Sequence, residues 1–345
     1  MIYSVIKDKS AEKHAALLRT VLASEDLPTL PTVAYKLVIL TAKEETTLAD
    51  VAELISQDIA LSIKILKVAN SAFYSFPQQI GSIQQAVSML GTNAVQSLVL
   101  SFSFLTINKS GDGNQFDFDK FWERSLTSAV ASKMILERVP GANAEEILIS
   151  GLLQNLGELI LACAFPAQVE SVLKTVEETS IDSRDAEIAV FGADHCFLGY
   201  EVARNWSFPE SISLPILYHH EPKSYKGTDK QVAMSSKAIY LSGLLLKILY
   251  SDNPEGYHRD FTIDAKALLG LESADIEEIL QKSHIELGHA AKNFGLKIEK
   301  TKPVQEILQE ANIRLSLLNL NYEQMNAELI DAKVSLENLT LELQE

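Results

Sequence analysis

Apolar residues recur at helical spacing along almost the whole chain, and the polar residues between them punctuate helices rather than strands. Thr47 precedes LADVAELIS with Asp50 three residues on, a capping-box pattern, and Leu48, Val51 and Ile55 fall on one face of the helix so begun. Asp58 opens IALSIKILKVAN. There Ile59, Ile63 and Leu66 form one stripe and Leu61, Ile65 and Val68 another, which predicts a helix buried on most sides. Ser82 and Gln85 make a second box ahead of AVSML, and Gly91 stands where a C-terminal glycine belongs. Convincing strand alternation is hard to find, so the expected fold class is all-α, a helical bundle.

The pattern also divides the chain. After Phe104 it stops, and Asn108–Gln115 (NKSGDGNQ) reads as a polar linker. The expected organisation is an N-terminal helical extension (1–19), a first helical part (20–107), a linker (108–117), a helical bundle (118–250), an additional helical region (251–302) and a final segment (303–345). Within the additional region, Ser251–Gly256 reads as a turn and Ala265–Gly295 as helix. From Pro303 the period changes to strict heptads. Val304, Leu308, Ala311, Leu315, Leu318, Tyr322, Met325, Leu329, Ala332, Leu336, Leu339 and Leu343 are spaced alternately four and three apart. This predicts a coiled coil, with a parallel homodimer expected; a long amphipathic helix folded back on the body is the alternative. The seam stops in mid-heptad at Glu345, which suggests a connector that continues into a further domain.

Composition narrows the function classes. The 345 residues carry a formal net charge of −16 and no basic run, which argues against nucleic acid and against anionic membrane surfaces as partners. Two apolar stretches could be tested as membrane spans. Glu146–Phe165 holds Gln154, Asn155 and Glu158 near its centre, and Val232–Tyr250 holds Lys237 and Lys247. A charge at a bilayer centre costs about 2.5–3.5 kcal/mol even on insertion scales, so both read as core helices. Cys163 and Cys196 are isolated, with no C-x-x-C pair, and the first residues, MIYSVIKDKSAEKH, lack the long apolar core of a signal peptide. A cytoplasmic location follows as the expectation.

Several blocks carry a family resemblance: LPTLP at 27–31, ISQD at 55–58, VANSAFY at 68–74, SIQQAVSMLG at 82–91, FWERSL at 121–126, GLLQNLGELIL at 151–161, HCFLGYEVARNWSFP at 195–209 and ILYHHEP at 216–222. Together they resemble the HDOD domain over about residues 20–250, with Ile59 standing where the family usually places proline. The resemblance implies a bundle similar to HD phosphohydrolases, whose active members hold metal with a histidine, a His-Asp doublet and a distant aspartate. Carried over by position, this chain has Arg124, then Gln154 and Asn155, then Ser242 in AIYLSGLL as the best match. A hydrolytic centre needs several charged or imidazole ligands to make a metal-bound hydroxide. A guanidinium and two carboxamides do not supply them, so no enzyme activity, metal or cofactor is expected. Arg124 is expected to pair with Glu123 or Glu158, and Gln154 and Asn155 to be buried amides with satisfied hydrogen bonds.

Three histidines remain. His195 begins a helix whose same face carries Leu198, Val202 and Trp206. His219 lies on the stripe of Ile212 and Ile216, and His220 follows Ile216 at i+4, with Pro215 placed to kink that helix. Adjacent residues on a helix occupy different azimuths, so His219 and His220 are expected not to aim at one ion easily. These residues, with Arg124, Gln154, Asn155 and Trp206, make up the candidate ligand or partner pocket. Core histidines bonded to backbone or carboxylate are the plain alternative.

The family resemblance implies a non-catalytic signalling domain, whose partners are itself and an output domain of GGDEF or histidine kinase type. Two other readings stay open. One is a metal-dependent phosphohydrolase acting on nucleotides through His195, His219 and His220; the other is a nucleotide receptor with Arg124 as phosphate anchor.

Overall fold

The computed structural model describes residues 14–24, 27–28, 31–43, 45–71, 74, 76–105, 116–144, 147–251, 253–298 and 302–342. Among these there is no strand. The first helices are α1 (14–22), α2 (Thr32–Thr41), α3 (Leu48–Ser56), α4 (Ile59–Ala69) and α5 (Ile83–Phe104). Then come α6 (Phe118–Leu136), α7 (Ile147–Leu152), α8 (Leu156–Ala164), α9 (Pro166–Thr179), α10 (Ser183–Phe191), α11 (His195–Asn205) and α12 (Glu210–Tyr218). Four longer helices finish the chain: α13 (Lys230–Tyr250), α14 (Pro254–Leu269), α15 (Ser273–Phe294) and α16 (Val304–Glu342). The all-α expectation holds. Most of the predicted linker, and residues 1–13 of the predicted extension, lie outside the described residues.

The local start signals act as the chemistry requires. Thr47 Oγ1 accepts from the Asp50 N–H while an Asp50 carboxylate oxygen accepts from the Thr47 N–H at 2.9 Å, and Asp58 accepts from the Leu61 N–H at 2.9 Å. Ser82 caps through the Gln85 N–H, but Gln85 reaches back one residue further than a box requires, to the Gly81 N–H at 2.9 Å. Gly91 takes the left-handed φ of 82° expected of a terminating glycine. A second helical stretch follows it at once, so α5 is two helices joined by a kink. The additional region is more helical than expected. Pro254 sits at the first position of α14, which shortens the predicted turn, and Gly270 (φ 69°) breaks the predicted 265–295 helix between α14 and α15.

α6 is the central element. All of its residues are buried except Asp119, Lys120 and Arg124. One apolar core gathers α1 to α8, α11, α12 and the C-terminal end of α15 around Leu98, Leu126, Leu156 and Ile216. It crosses the predicted boundary between the first helical part and the bundle. A second core joins the end of α6 to α13, α14, the first half of α15 and Val304 of α16. Two corrections concern burial. α4 is covered on one side only: Leu61, Ile65 and Val68 are buried, whereas Ile59 is 76% and Ile63 62% exposed. The apolar stretch 146–165 breaks at Leu153–Asn155 into α7 and α8. α5 and α13 are long and apolar enough to cross a membrane, but 67% and 56% of their apolar windows are buried inside the molecule, as core helices are.

α16 leaves the body as one continuous helix. Val304 and Ala311 are buried and Leu308 packs on the second core, while Leu315, Leu318, Tyr322, Met325 and Leu329 are exposed. Leu336 and Leu339 lie outside the described side chains.

Close backbone packing makes glycine obligatory where α8 meets α11. A Cβ on Gly157 would lie 2.1 Å from the His195 carbonyl oxygen and 2.6 Å from its Cα. Gly157→Ala is therefore expected to cost about 1–3 kcal/mol and to lower the melting temperature by several degrees. Gly288→Ala, on α15 with nothing within 4 Å, should instead stabilise by about 0.5–1 kcal/mol. Chemical denaturation of the two variants checks both signs, and equal effects would contradict this account of the α8–α11 contact.

Candidate functional site

A cleft of about 310 Å³ opens between α6, the α7–α8 turn, α11, the end of α12 and α13. Its walls include Arg124, Gln154, Asn155, Glu158, His195, His219 and His220. Six of the seven predicted pocket residues thus meet. Trp206 does not. It shares a helix face with His195 but stands three turns away, about 16 Å at 1.5 Å per residue. There it packs in the core on Phe104 and Phe208, with ring centroids 5.5 and 6.1 Å away. Ser242 also faces away: its hydroxyl is buried against Ser128 at 2.6 Å and donates to the Ile239 carbonyl. The face of α13 that lines the cleft carries Tyr240, Gly243, Lys247 and Tyr250.

The histidines correct the azimuth expectation. α12 ends at Tyr218; His219 is its C-cap, still with helical dihedrals, and His220 follows it on the bend. Both rings turn towards His195. His195 Nε2 lies 3.3 Å from His219 Nε2 and 3.2 Å from His220 Nε2. His195 is seated by Glu187 of α10, whose Oε2 accepts from both the His195 backbone N–H and Nδ1–H, each at 2.8 Å. His219 Nδ1–H donates to the Ile216 carbonyl at 2.7 Å. These acceptors fix the tautomers, because a carboxylate and a carbonyl only accept. Cys196 belongs to the same group: one ligand atom from each of His195, Cys196, His219 and His220 lies within 4.8 Å of the others. The donor set suits a late first-row divalent metal.

Charge follows from burial and neighbours. Burial works against an imidazolium at His195, but Cys196 and the carboxylates of Glu187 and Glu158 hold the ring well above the ordinary imidazole range. Burial also pushes the Cys196 thiol up, so near neutral pH the carboxylates and not a thiolate give that support. Burial and the positive charge on its neighbours drive His219 well below the usual range and His220 down to about 3. Burial raises Glu158, aided by the nearby Glu187 and opposed by His195 and Arg124. Arg124 therefore acts on Glu158. Glu123, the other expected partner, is buried and accepts from the Tyr250 hydroxyl at 3.0 Å. Gln154 is 4% exposed, and its Oε1 has no hydrogen-bond partner, which corrects the expectation of a satisfied amide.

Glu187, Cys196 and Arg184 were not visible from sequence as members of the site. Arg184 Nε donates to Asp194 at 2.8 Å and Nη1 to Glu221 at 3.0 Å. Asp194 caps α11 just before His195, and Glu221 follows His220. One guanidinium thus ties together the two segments that bear the imidazoles. The sequence signals are weak: an Asp at a helix start, and a Glu eight residues before a His.

With the cleft described, the comparisons place the chain. The HDOD domain pattern matches residues 27–222, and the chain belongs to the HDOD family. An uncharacterised protein of Treponema pallidum (strain Nichols) is 26% identical over 226 residues, covering 64% of this chain and 43% of that protein. The chain spans less than half the length of the curated relatives it matches. Among solved structures, a candidate phosphohydrolase from Shewanella amazonensis SB2B is 25% identical with a TM-score of 0.63, over 81% of this chain and 98% of that one. A candidate signal-transduction protein from Marinobacter aquaeolei VT8 shares the fold at 18% identity and a TM-score of 0.60, over 84% and 66% of the two chains. Both solved structures show the same helical fold as this chain.

Arg184→Ala is expected to lower stability by about 1–3 kcal/mol, since two charge-assisted hydrogen bonds are lost at a partly exposed site. Arg184→Lys should recover only part of it, because an ammonium cannot fork between Asp194 and Glu221. Imidazole NMR signals of His195, His219 and His220 should shift in the Ala variant. Unchanged signals would show that Arg184 does not position the rings.

Proposed function

We propose that this chain is a non-catalytic signal-transducing domain of a cytoplasmic protein: its cleft takes a ligand, and α16 pairs with a second copy to pass the change to an output domain. The observation that carries the reading is the continuity of α13. One end region of this helix lines the cleft through Tyr240, Gly243, Lys247 and Tyr250, and its apolar face packs in the second core, where Val304 and Leu308 anchor α16. A shift of α13 against α6 therefore moves the root of α16. Beyond that root, Leu315, Leu318, Tyr322, Met325 and Leu329 expose between 43% and 66% of their surface in heptad register. That is an apolar seam suited to a partner helix. An output domain of GGDEF or histidine kinase type is the natural receiver of a change in helix register or dimer geometry.

A second reading, a metal-dependent phosphohydrolase, draws support from the meeting of three imidazoles in the cleft. Arg124 weighs against it, because it brings a permanent positive charge to the cleft, and the amides of Gln154 and Asn155 add no anionic ligand. No metal-dependent hydrolysis of a model phosphodiester is expected with manganese, iron or zinc. Turnover that disappears in His219→Ala would replace the regulatory reading with the enzymatic one.

Light scattering on the eluting protein tests the pairing. The chain should elute as a dimer at micromolar concentration, and the Leu318→Lys, Met325→Lys double variant as a monomer. Unfolding of the body should change by no more than about 0.5 kcal/mol, as for exposed positions. A monomeric wild-type chain would sink the proposal.

A further inference from the structure

The three facing Nε2 atoms leave an electrostatic demand that packing alone does not meet. His195 donates its Nδ1 proton to Glu187, and His219 donates its own to the Ile216 carbonyl. In the neutral rings both Nε2 atoms therefore carry lone pairs, and they face each other at 3.3 Å. His220 brings a further nitrogen to 3.2 Å from His195. A cation between the rings relieves both contacts, whereas an N–H of a neutral His220 donated to His195 answers only one. A proton on His195 Nε2 could do so, but an N–H bond is directional and serves one acceptor well. The two nearly equal distances, both at or beyond the long end of an ordinary hydrogen bond, describe a group around a common centre instead. For metal–nitrogen bonds of about 2.0–2.1 Å, the edge of a tetrahedron is about 3.3–3.4 Å.

The surroundings point the same way. A carboxylate behind one ring and a carbonyl behind another are the outer partners that metal-bound imidazoles take, since they fix the tautomer and raise the basicity of the inner nitrogen. Two carboxylates, Glu187 at 2.8 Å and Glu158 at 3.9 Å from His195 Nδ1, offset a dication without occupying its inner positions. Gln154, which also lines the cleft, has a buried Oε1 with no hydrogen-bond partner.

The geometry points to a three-imidazole site, His195, His219 and His220, for a divalent transition metal of the zinc class, with the fourth coordination position open to the cleft. Such an ion clips the start of α11 to the segment after α12. This deepens the reading of the cleft as a ligand site, and it rests on that reading only in taking the cleft as the binding region.

The test uses the full chain, stripped with a chelator, and Co(II) as a spectroscopic probe with Zn(II) as competitor. One equivalent per chain should bind with the visible absorption of tetrahedral cobalt and raise the melting temperature, and zinc should displace it. His219→Ala and His220→Ala should each weaken binding by more than about 100-fold, beyond the 10–100-fold that the loss of an outer partner costs. Glu187→Gln should lie within that smaller range and keep the cobalt spectrum. His220 is the least buried of the three rings, so His220→Gln, checked by circular dichroism, guards against a folding artefact. Cys196→Ser should leave binding intact. Absence of stoichiometric binding, unchanged binding in both His220 variants, or loss of binding in Cys196→Ser would overturn the site. A metal-free dimer would sink the site and spare the regulatory reading; a monomer that binds one ion would do the reverse.

Discussion

His195 and His219 each give the Nδ1 proton to an acceptor behind the ring, so their Nε2 atoms face each other at 3.3 Å only with a positive charge, a proton or a metal ion, between them. Much of the local architecture holds His195 and His219 in that arrangement. Gly157 lets the α8 backbone reach the first residue of α11, and a Cβ on Gly199 would meet the Gly157 N at 3.0 Å and Ile216 at 3.1 Å, so α8, α11 and α12 pack at backbone distance. Arg184 ties Asp194 to Glu221, fixing the segments on both sides of the gap. Glu187 holds the backbone and the ring of His195 with one oxygen. Each device constrains an angle or a distance at the cluster, and their sum is an inward-facing trio that a free chain would avoid.

The same helices link the cleft to the far end of the molecule. α6 is buried along almost its whole length and touches both cores, so it serves as a rigid reference. α13 lies along it, pinned by the Ser128–Ser242 hydrogen bond at 2.6 Å and by Tyr250, which donates to Glu123 and lies 3.2 Å from Thr127. Tyr250 also lines the cleft. A ligand that engages Tyr250 would therefore compete with a partly buried hydrogen bond between α13 and α6. Close-packed interiors move between discrete arrangements rather than deforming smoothly, so such competition can transmit a step rather than a gradient.

What could be read in the sequence was what depends on neighbours in sequence. The caps at Thr47, Asp58 and Ser82, the glycine at Gly91 and the heptad seam of α16 are short-range patterns with a local mechanism. So was the family resemblance, which pointed to Arg124, Gln154 and Asn155. The failures are tertiary. The two stripes of α4 are real, but periodicity does not say that only the face with Leu61, Ile65 and Val68 meets a neighbour. Trp206 shares an azimuth with His195, yet azimuth carries no axial distance. Ser242 and Gly243 differ by one position, and that one position decides whether a side chain faces the core or the cleft. The azimuth rule for His219 and His220 separates their Cα–Cβ bonds but not their ring ends, and both Nε2 atoms still reach His195. Glu187 comes from another helix, where no spacing rule reaches.

Stability does not explain the histidine cluster. Burying His195, His219 and Glu187 strips water from three polar groups, and their mutual hydrogen bonds return only part of that cost. Apolar side chains of similar shape at the same positions would leave the fold as stable or more so, as buried charged networks elsewhere indicate. The contrast with Gln154 and Asn155 sharpens the point. There the cleft holds neutral amides beside the guanidinium of Arg124, whereas its other wall holds three imidazoles with the carboxylates of Glu187 and Glu158 near His195. A wall that only had to be filled would treat both halves alike. The asymmetry puts the anionic balance on the imidazole side and the guanidinium on the amide side, which is the arrangement expected of a site that fixes a cation at the imidazoles and leaves the remaining wall to recognise what binds beside it.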